Sequence, residues 1–93
     1  MEVYCIEDLK RELECGTNYV VYVIQPSKLL LSVLAKAPGN VYEVSRVSDI
    51  VVIVIGLAFA AVVSYAISKG YTIKIKVKDK TKNEYAVEFT KPQ

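Results

Sequence analysis

The plainest pattern of apolar and polar positions lies near the end of the chain. In YTIKIKVKD (71–79), Ile73, Ile75 and Val77 alternate with Lys74, Lys76 and Lys78. Strict period-two alternation predicts a strand buried on one face only. The stretch NEYAVEFT (83–90) answers it with Tyr85, Val87 and Phe89 in alternate positions. Folding the two segments about Thr81 sets Ile73, Ile75 and Val77 against Phe89, Val87 and Tyr85. It also sets Lys74 against Glu88 and Lys78 against Glu84. Apolar pairs on one face and opposite charges on the other specify this register, each pair contributing about 0.2–1 kcal/mol. A C-terminal β-hairpin follows.

Upstream the period changes. Ile6, Leu9 and Leu13 fall on one helical face, with acids early and Cys15-Gly16 as the stop, which predicts a short amphipathic helix over 6–14 packed on the edge of the domain. YVVYVI (19–24) is a continuous apolar run, as expected of a strand covered on both faces. QPSK then opens a second helix, with Ser27 as cap, Leu30, Val33, Leu34 and Ala37 inward, and Pro38-Gly39 at its end. NVYEV (40–44) reads as a further extended segment.

The longest apolar stretch admits two parses. Nineteen uncharged residues separate Asp49 from Lys69, and as one helix they would rise about 28 Å, close to a bilayer core. The lysines that follow would then face the cytoplasm. The internal grain of the stretch favours a different reading. Ile50 to Ile55 are all β-branched and suit a strand. Gly56 punctuates. From Leu57 onward Phe59, Val62, Val63, Ala66 and Ile67 recur at helical spacing, Ser64, Ser68 and Lys69 lie on or beside the other face, and Gly70 stands at the C-cap position. Strand, turn, helix and cap is the more economical parse, and a single span over 49–69 is its rival.

The resulting order predicts a two-layer α/β sandwich. It has a mixed four- or five-stranded sheet, two helices on one face, the C-terminal hairpin and a short N-terminal helix. One domain is expected over 1–93, with 1–16 as an N-terminal helical extension and 19–91 as the α/β core.

Composition narrows the function. Of the 93 residues 53% are apolar, enough for one modest core, and chains of this size often gain stability by oligomerising, so a homo-oligomer, in the first instance a dimer, is expected. The chain has no histidine, which removes Ser-His-Asp and Cys-His catalysis and the commonest zinc ligand. Cys5 and Cys15 lack CxxC spacing and read as free intracellular thiols, although a disulfide between them remains open. No basic leader precedes an N-terminal apolar run, which predicts a cytoplasmic protein without a secretory signal. Gly56 lacks the context of a phosphate loop. No enzymatic activity, metal or cofactor is expected.

The net charge of +2 is too small to argue for nucleic acid by itself, but the charges are unevenly placed. Residues 69–82 hold six lysines against Asp79, while residues 2–14 hold five acids against two bases. A lysine stripe of this kind either tracks a phosphate backbone or protects an edge strand from aggregation. The seven tyrosines either stack on bases or pack in the core and at interfaces.

VYVIQPSKLLLSVLA (21–35 with the preceding strand), DIVVIVIGLAFAAVVSYAISKG and the closing VEFTK resemble the archaeal Alba chromatin proteins over residues 19 to 91. In that family a strand leads through a proline (here Pro26) into the first helix, and a glycine (here Gly56) precedes an alanine-rich second helix. The resemblance implies a dimeric partner of DNA or RNA. Two departures matter. The family's lysine pair before the proline is Ile24 and Gln25 here, and its arginine before the glycine is Ile55. What remains for a nucleic acid is Lys28 near the first helix and the hairpin lysines Lys74, Lys76, Lys78, Lys80 and Lys82. A second stretch, APGNVYEVSRVSDIVVIVI, resembles the ferredoxin-like ACT and RAM regulatory domains. That resemblance implies a dimeric module binding a small metabolite between subunits. The expected function is therefore weak, sequence-independent nucleic-acid binding through the hairpin, with a metabolite-binding or oligomerisation module as the alternative.

Overall fold

The computed structural model describes residues 1–25, 39, 41–44, 57–79 and 81–92. The expected helix over 27–37, the expected strand over 50–55, Pro26, Lys28, Gly56 and Lys80 lie outside these residues. The described elements are β1 (Glu2–Val3), α1 (Ile6–Glu14), β2 (Tyr19–Ile24), β3 (Val41–Val44), α2 (Leu57–Ser68), β4 (Thr72–Asp79) and β5 (Glu84–Thr90). The strands form one mixed five-stranded sheet in the order β1-β2-β5-β4-β3. β1 runs parallel to β2, and the other neighbours are antiparallel. Both helices pack on one face, giving the two-layer α/β sandwich expected from the pattern.

Alternation decides which side of the sheet each residue serves. Val20, Tyr22, Ile24, Val44, Ile73, Ile75, Tyr85, Val87 and Phe89 point toward the helices, where they meet Phe59, Val62, Val63 and Ala66 of α2 in one core. Phe59 bridges the layers, its ring 5.4 Å from that of Tyr22 and 6.5 Å edge-on from that of Phe89. Offset and edge-to-face rings of this kind add to area burial.

Both helices end on a glycine that has no Cβ to clash in the left-handed region. Gly70 has φ +83°, and Tyr71 N–H donates to Ala66 O while Gly70 N–H donates to Ile67 O, 3.0 Å each. Gly16 (φ +77°) closes α1 in the same way, Thr17 N–H donating to Glu12 O and Gly16 N–H to Leu13 O, 3.1 Å each. These caps turn the chain directly into β4 and β2.

Helix α1 packs over the edge of the sheet, on β1 and β2 with β1 outermost, and its apolar face buries Leu9 and Leu13 in the common core. The two-residue strand β1, which pairs with β2, is invisible to periodicity. One expectation is corrected. In the hairpin, Ile73, Ile75 and Val77 do oppose Phe89, Val87 and Tyr85, and Lys74 opposes Glu88. Lys78, however, does not face Glu84. The register shifts between Val77 and Asp79, so that Asp79 stands opposite Glu84 and Lys78 falls at the irregularity. Such a bulge re-aims a side chain and increases local twist.

Among the described residues no helix is long and apolar enough to cross a membrane. Helix α2 has 12 residues, a rise of about 18 Å against a bilayer core of about 30 Å.

Candidate functional site

The face of the sheet away from the helices carries the hairpin lysines that alternation sends outward. Beside them the structure places acids. Lys74 stands opposite Glu43 on β3 and Glu88 on β5, and Lys76 stands between Val41 and Ala86. Toward β1, Glu2 pairs in register with Val21. Among the described residues, Lys74 and Lys76 thus share this face with the acids Glu2, Glu43 and Glu88.

Two tyrosine–carboxylate–lysine groups organise the face. In the first, Tyr19 O–H donates to Glu88 Oε2 at 2.5 Å and Lys76 Nζ lies 2.9 Å from the same oxygen. Lys76 points outward as alternation predicts, but it is paired there with Glu88 rather than unpaired. Glu88 is the least exposed partner. Burial pushes its carboxyl up, but the hydrogen bonds from Tyr19 and Lys76 outweigh this and hold it below the usual carboxylate range. The same contact, aided by burial, pushes the Tyr19 phenol up to about 12. In the second group, Tyr4 O–H donates to Glu2 Oε1 at 2.8 Å and Lys78 Nζ lies 3.1 Å from that oxygen. Lys78 also sits 5.8 Å from the centre of the Tyr4 ring, within cation–π range. Hydrogen bonding to Tyr4 and then to Lys78 lowers the Glu2 carboxyl, and contact with Glu2 raises both Tyr4 and Lys78. On the same side of the sheet, Val21, Val23 and Ala86 form a small second cluster of buried residues.

The hairpin turn is built differently. Asp79 Oδ1 accepts from Thr81 N–H at 3.0 Å and Lys82 N–H at 3.2 Å, and Asn83 takes the left-handed conformation at φ +57°. An aspartate folding back onto its own turn fixes the local backbone. Lys82 is exposed on this fixed turn.

Of the six expected site lysines, then, Lys76 and Lys78 are tied to carboxylates, Lys74 lies between two acids, Lys82 projects from the turn, and Lys28 and Lys80 lie outside the described residues. The partners of Lys78 could not be read from the sequence, since Glu2 and Lys78 are 76 positions apart. The Tyr19–Glu88 contact had a signal: both are outward positions on segments legible as strands.

Among the described residues no group of three or more metal-ligating side chains converges. Cys5 and Cys15 are exposed free thiols. A backbone hydrogen bond at Asp8 lowers the Cys5 thiol, but the Asp8 carboxylate and burial together hold it above its ordinary value, the reverse of an activated nucleophile.

Comparison with protein-family models, curated proteins and solved structures gives no match.

Proposed function

We propose that this chain is a non-enzymatic binding domain that meets nucleic acid weakly and without sequence preference, at the turn end of the β4–β5 hairpin rather than along the whole lysine stripe. The carrying observation is the Asp79-braced turn, which holds Lys82 exposed, with Lys78 at the register shift on the strand that leads into it. Ion pairs between exposed groups are worth about 0–1 kcal/mol, so Lys78 can exchange Glu2 for a phosphate at little cost. Lys76 has less freedom, because leaving would strip a cation from the partly buried Glu88. Lys74 adds charge beside acids that offset it. So few cations support an affinity in the micromolar range or weaker, falling steeply with salt.

Fluorescence anisotropy with labelled duplex DNA and with RNA, at low and moderate salt, tests the proposal. Binding is expected at low salt, with a salt dependence that becomes shallower by about one counterion for each binding lysine removed. Lys82→Glu combined with Lys78→Gln should weaken binding at least tenfold. No binding at low salt sinks the reading, and binding that survives the double variant moves the site away from the hairpin turn.

A further inference from the structure

The helical layer carries a surface of the opposite character. Across its 12 residues α2 contains no charged side chain, not even on its solvent side. Ala61, Ser64, Tyr65 and Ser68, one stripe at helical spacing, are all exposed, Tyr65 at 37%. A surface helix ordinarily places charges on its outer face. The helix itself carries no charge, Lys69 just past its end lies 5.7 Å from the centre of the Tyr65 ring, and an exposed tyrosine on such a stripe is a feature of interface centres. Between this stripe and α1 runs an apolar groove of about 440 Å³, walled by Ile6 and Leu13 on one side and by Val62 and Tyr65 on the other.

The rim of the groove indicates what covers it. Glu7, Lys10 and Glu14 follow one line along α1 and alternate in sign. A small apolar ligand would make no use of the charges on this rim, and an anionic lipid surface would be repelled by two carboxylates out of three. A second α1 running antiparallel uses Glu7 and Lys10 together. With the two-fold axis midway between positions 7 and 10, Glu7 of each copy meets Lys10 of the other, so one patch is complementary to itself. Lys10 is free to turn, since its own Glu14 is 4.0 Å away and both side chains are more than half exposed.

We propose that the α1/α2 face is a two-fold interface between two copies of this chain, with Tyr65 and the groove at its centre and reciprocal Glu7–Lys10 pairs at its rim. Ion pairs at an exposed rim add little, so the dimer is weak and exchanging. The sheet faces and hairpins of both copies remain outside it, and the inference does not depend on nucleic-acid binding.

Sedimentation velocity on the full chain across a concentration series tests this. A monomer–dimer equilibrium in the micromolar range is expected. Tyr65→Lys should leave the chain monomeric with unchanged far-ultraviolet circular dichroism, since Tyr65 is at the surface. Glu7→Lys and Lys10→Glu should each weaken the dimer at least tenfold. The double variant Glu7→Lys/Lys10→Glu should restore it, and mixing the two single variants should give a heterodimer. A chain that stays monomeric at every concentration overturns the proposal, as does a dimer indifferent to Tyr65→Lys. Single variants that weaken the dimer without rescue by the double variant overturn the reciprocal pairing. Monomers that instead sediment with neutral lipid vesicles through Tyr65 would overturn the two-fold reading in favour of a lipid surface.

Discussion

Lys76 Nζ lies 2.9 Å from Glu88 Oε2, on a diagonal between neighbouring strands rather than directly across. The outward face of the hairpin is therefore partly a scaffold of paired charges. Replacing Lys76 by Glu would put like charges together beside a carboxylate already held by Tyr19. We expect Lys76→Glu to lower stability by about 1 kcal/mol and Lys82→Glu to leave it unchanged. Urea unfolding of the two variants, compared with the parent, checks the difference.

Phe89 is fully buried, opposite Ile73 in register and edge-on to Phe59. Phe89→Ala leaves a cavity between the two layers that strands and helix cannot both close. The expected loss is about 3–5 kcal/mol, measured by chemical denaturation. A loss below about 1 kcal/mol, the usual size of a surface effect, would place Phe89 outside the core.

Val63 is likewise 0% exposed, in the middle of the sheet-facing side of α2. An aspartate there would be an unpaired charge in the apolar core, costing several kcal/mol. Val63→Asp should abolish the cooperative thermal transition and collapse the dispersion of the amide spectrum. A well-dispersed, stable variant would contradict the packing of α2.

Gly70 supplies the left-handed residue that closes α2, and a Cβ there would come 3.3 Å from the Pro92 side chain. Gly70→Ala should cost about 1–2 kcal/mol from backbone conformation alone. The contact with the Pro92 side chain is tight but is relieved by a shift of a few tenths of an ångström. Thermal unfolding of this variant beside a truncation at Lys91 separates the two contributions.

The pH dependence follows from Tyr19. Its phenol is pushed up to about 12 in the fold, against about 10 in an unfolded chain, so the fold favours the protonated form. That contribution is fully present below pH 10, and it is lost as pH rises through about 12. Glu88 works in the other direction. Its carboxyl is lowered, so its contribution is present above the ordinary carboxylate value and fades as pH falls through the lowered one. Tyr19→Phe should make the alkaline limb of a stability–pH profile measured by urea unfolding shallower, leaving the share carried by Tyr4, Tyr22 and Tyr71, whose phenols are also raised. An unchanged alkaline limb would remove Tyr19 as its cause.

The elements whose register depends on neighbours in sequence were legible in the chain. The unbroken apolar run YVVYVI marks a strand without marking which face meets the helices. The alternation through Ile73, Ile75 and Val77, its answer in Tyr85, Val87 and Phe89, and the helix carrying Val62, Val63 and Ala66 each encode their buried face by period alone, because side-chain direction is a local property of a strand or a helix. The stops at Gly16 and Gly70 were legible for the same reason: only glycine enters the left-handed region without a steric penalty. What tertiary structure decided is everything that joins distant segments. A two-residue strand has no period to read, so β1 arises only once β2 is there to pair with. The bulge at Lys78 breaks an alternation that sequence extends unbroken, since the twist of the sheet rather than the pattern sets where the ladder slips. The lysines look like one stripe in sequence because alternation sends them to one face. Their electrostatic meaning depends on Glu2, Glu43 and Glu88 from three other strands, brought within a few ångströms only by the order in which those strands assemble.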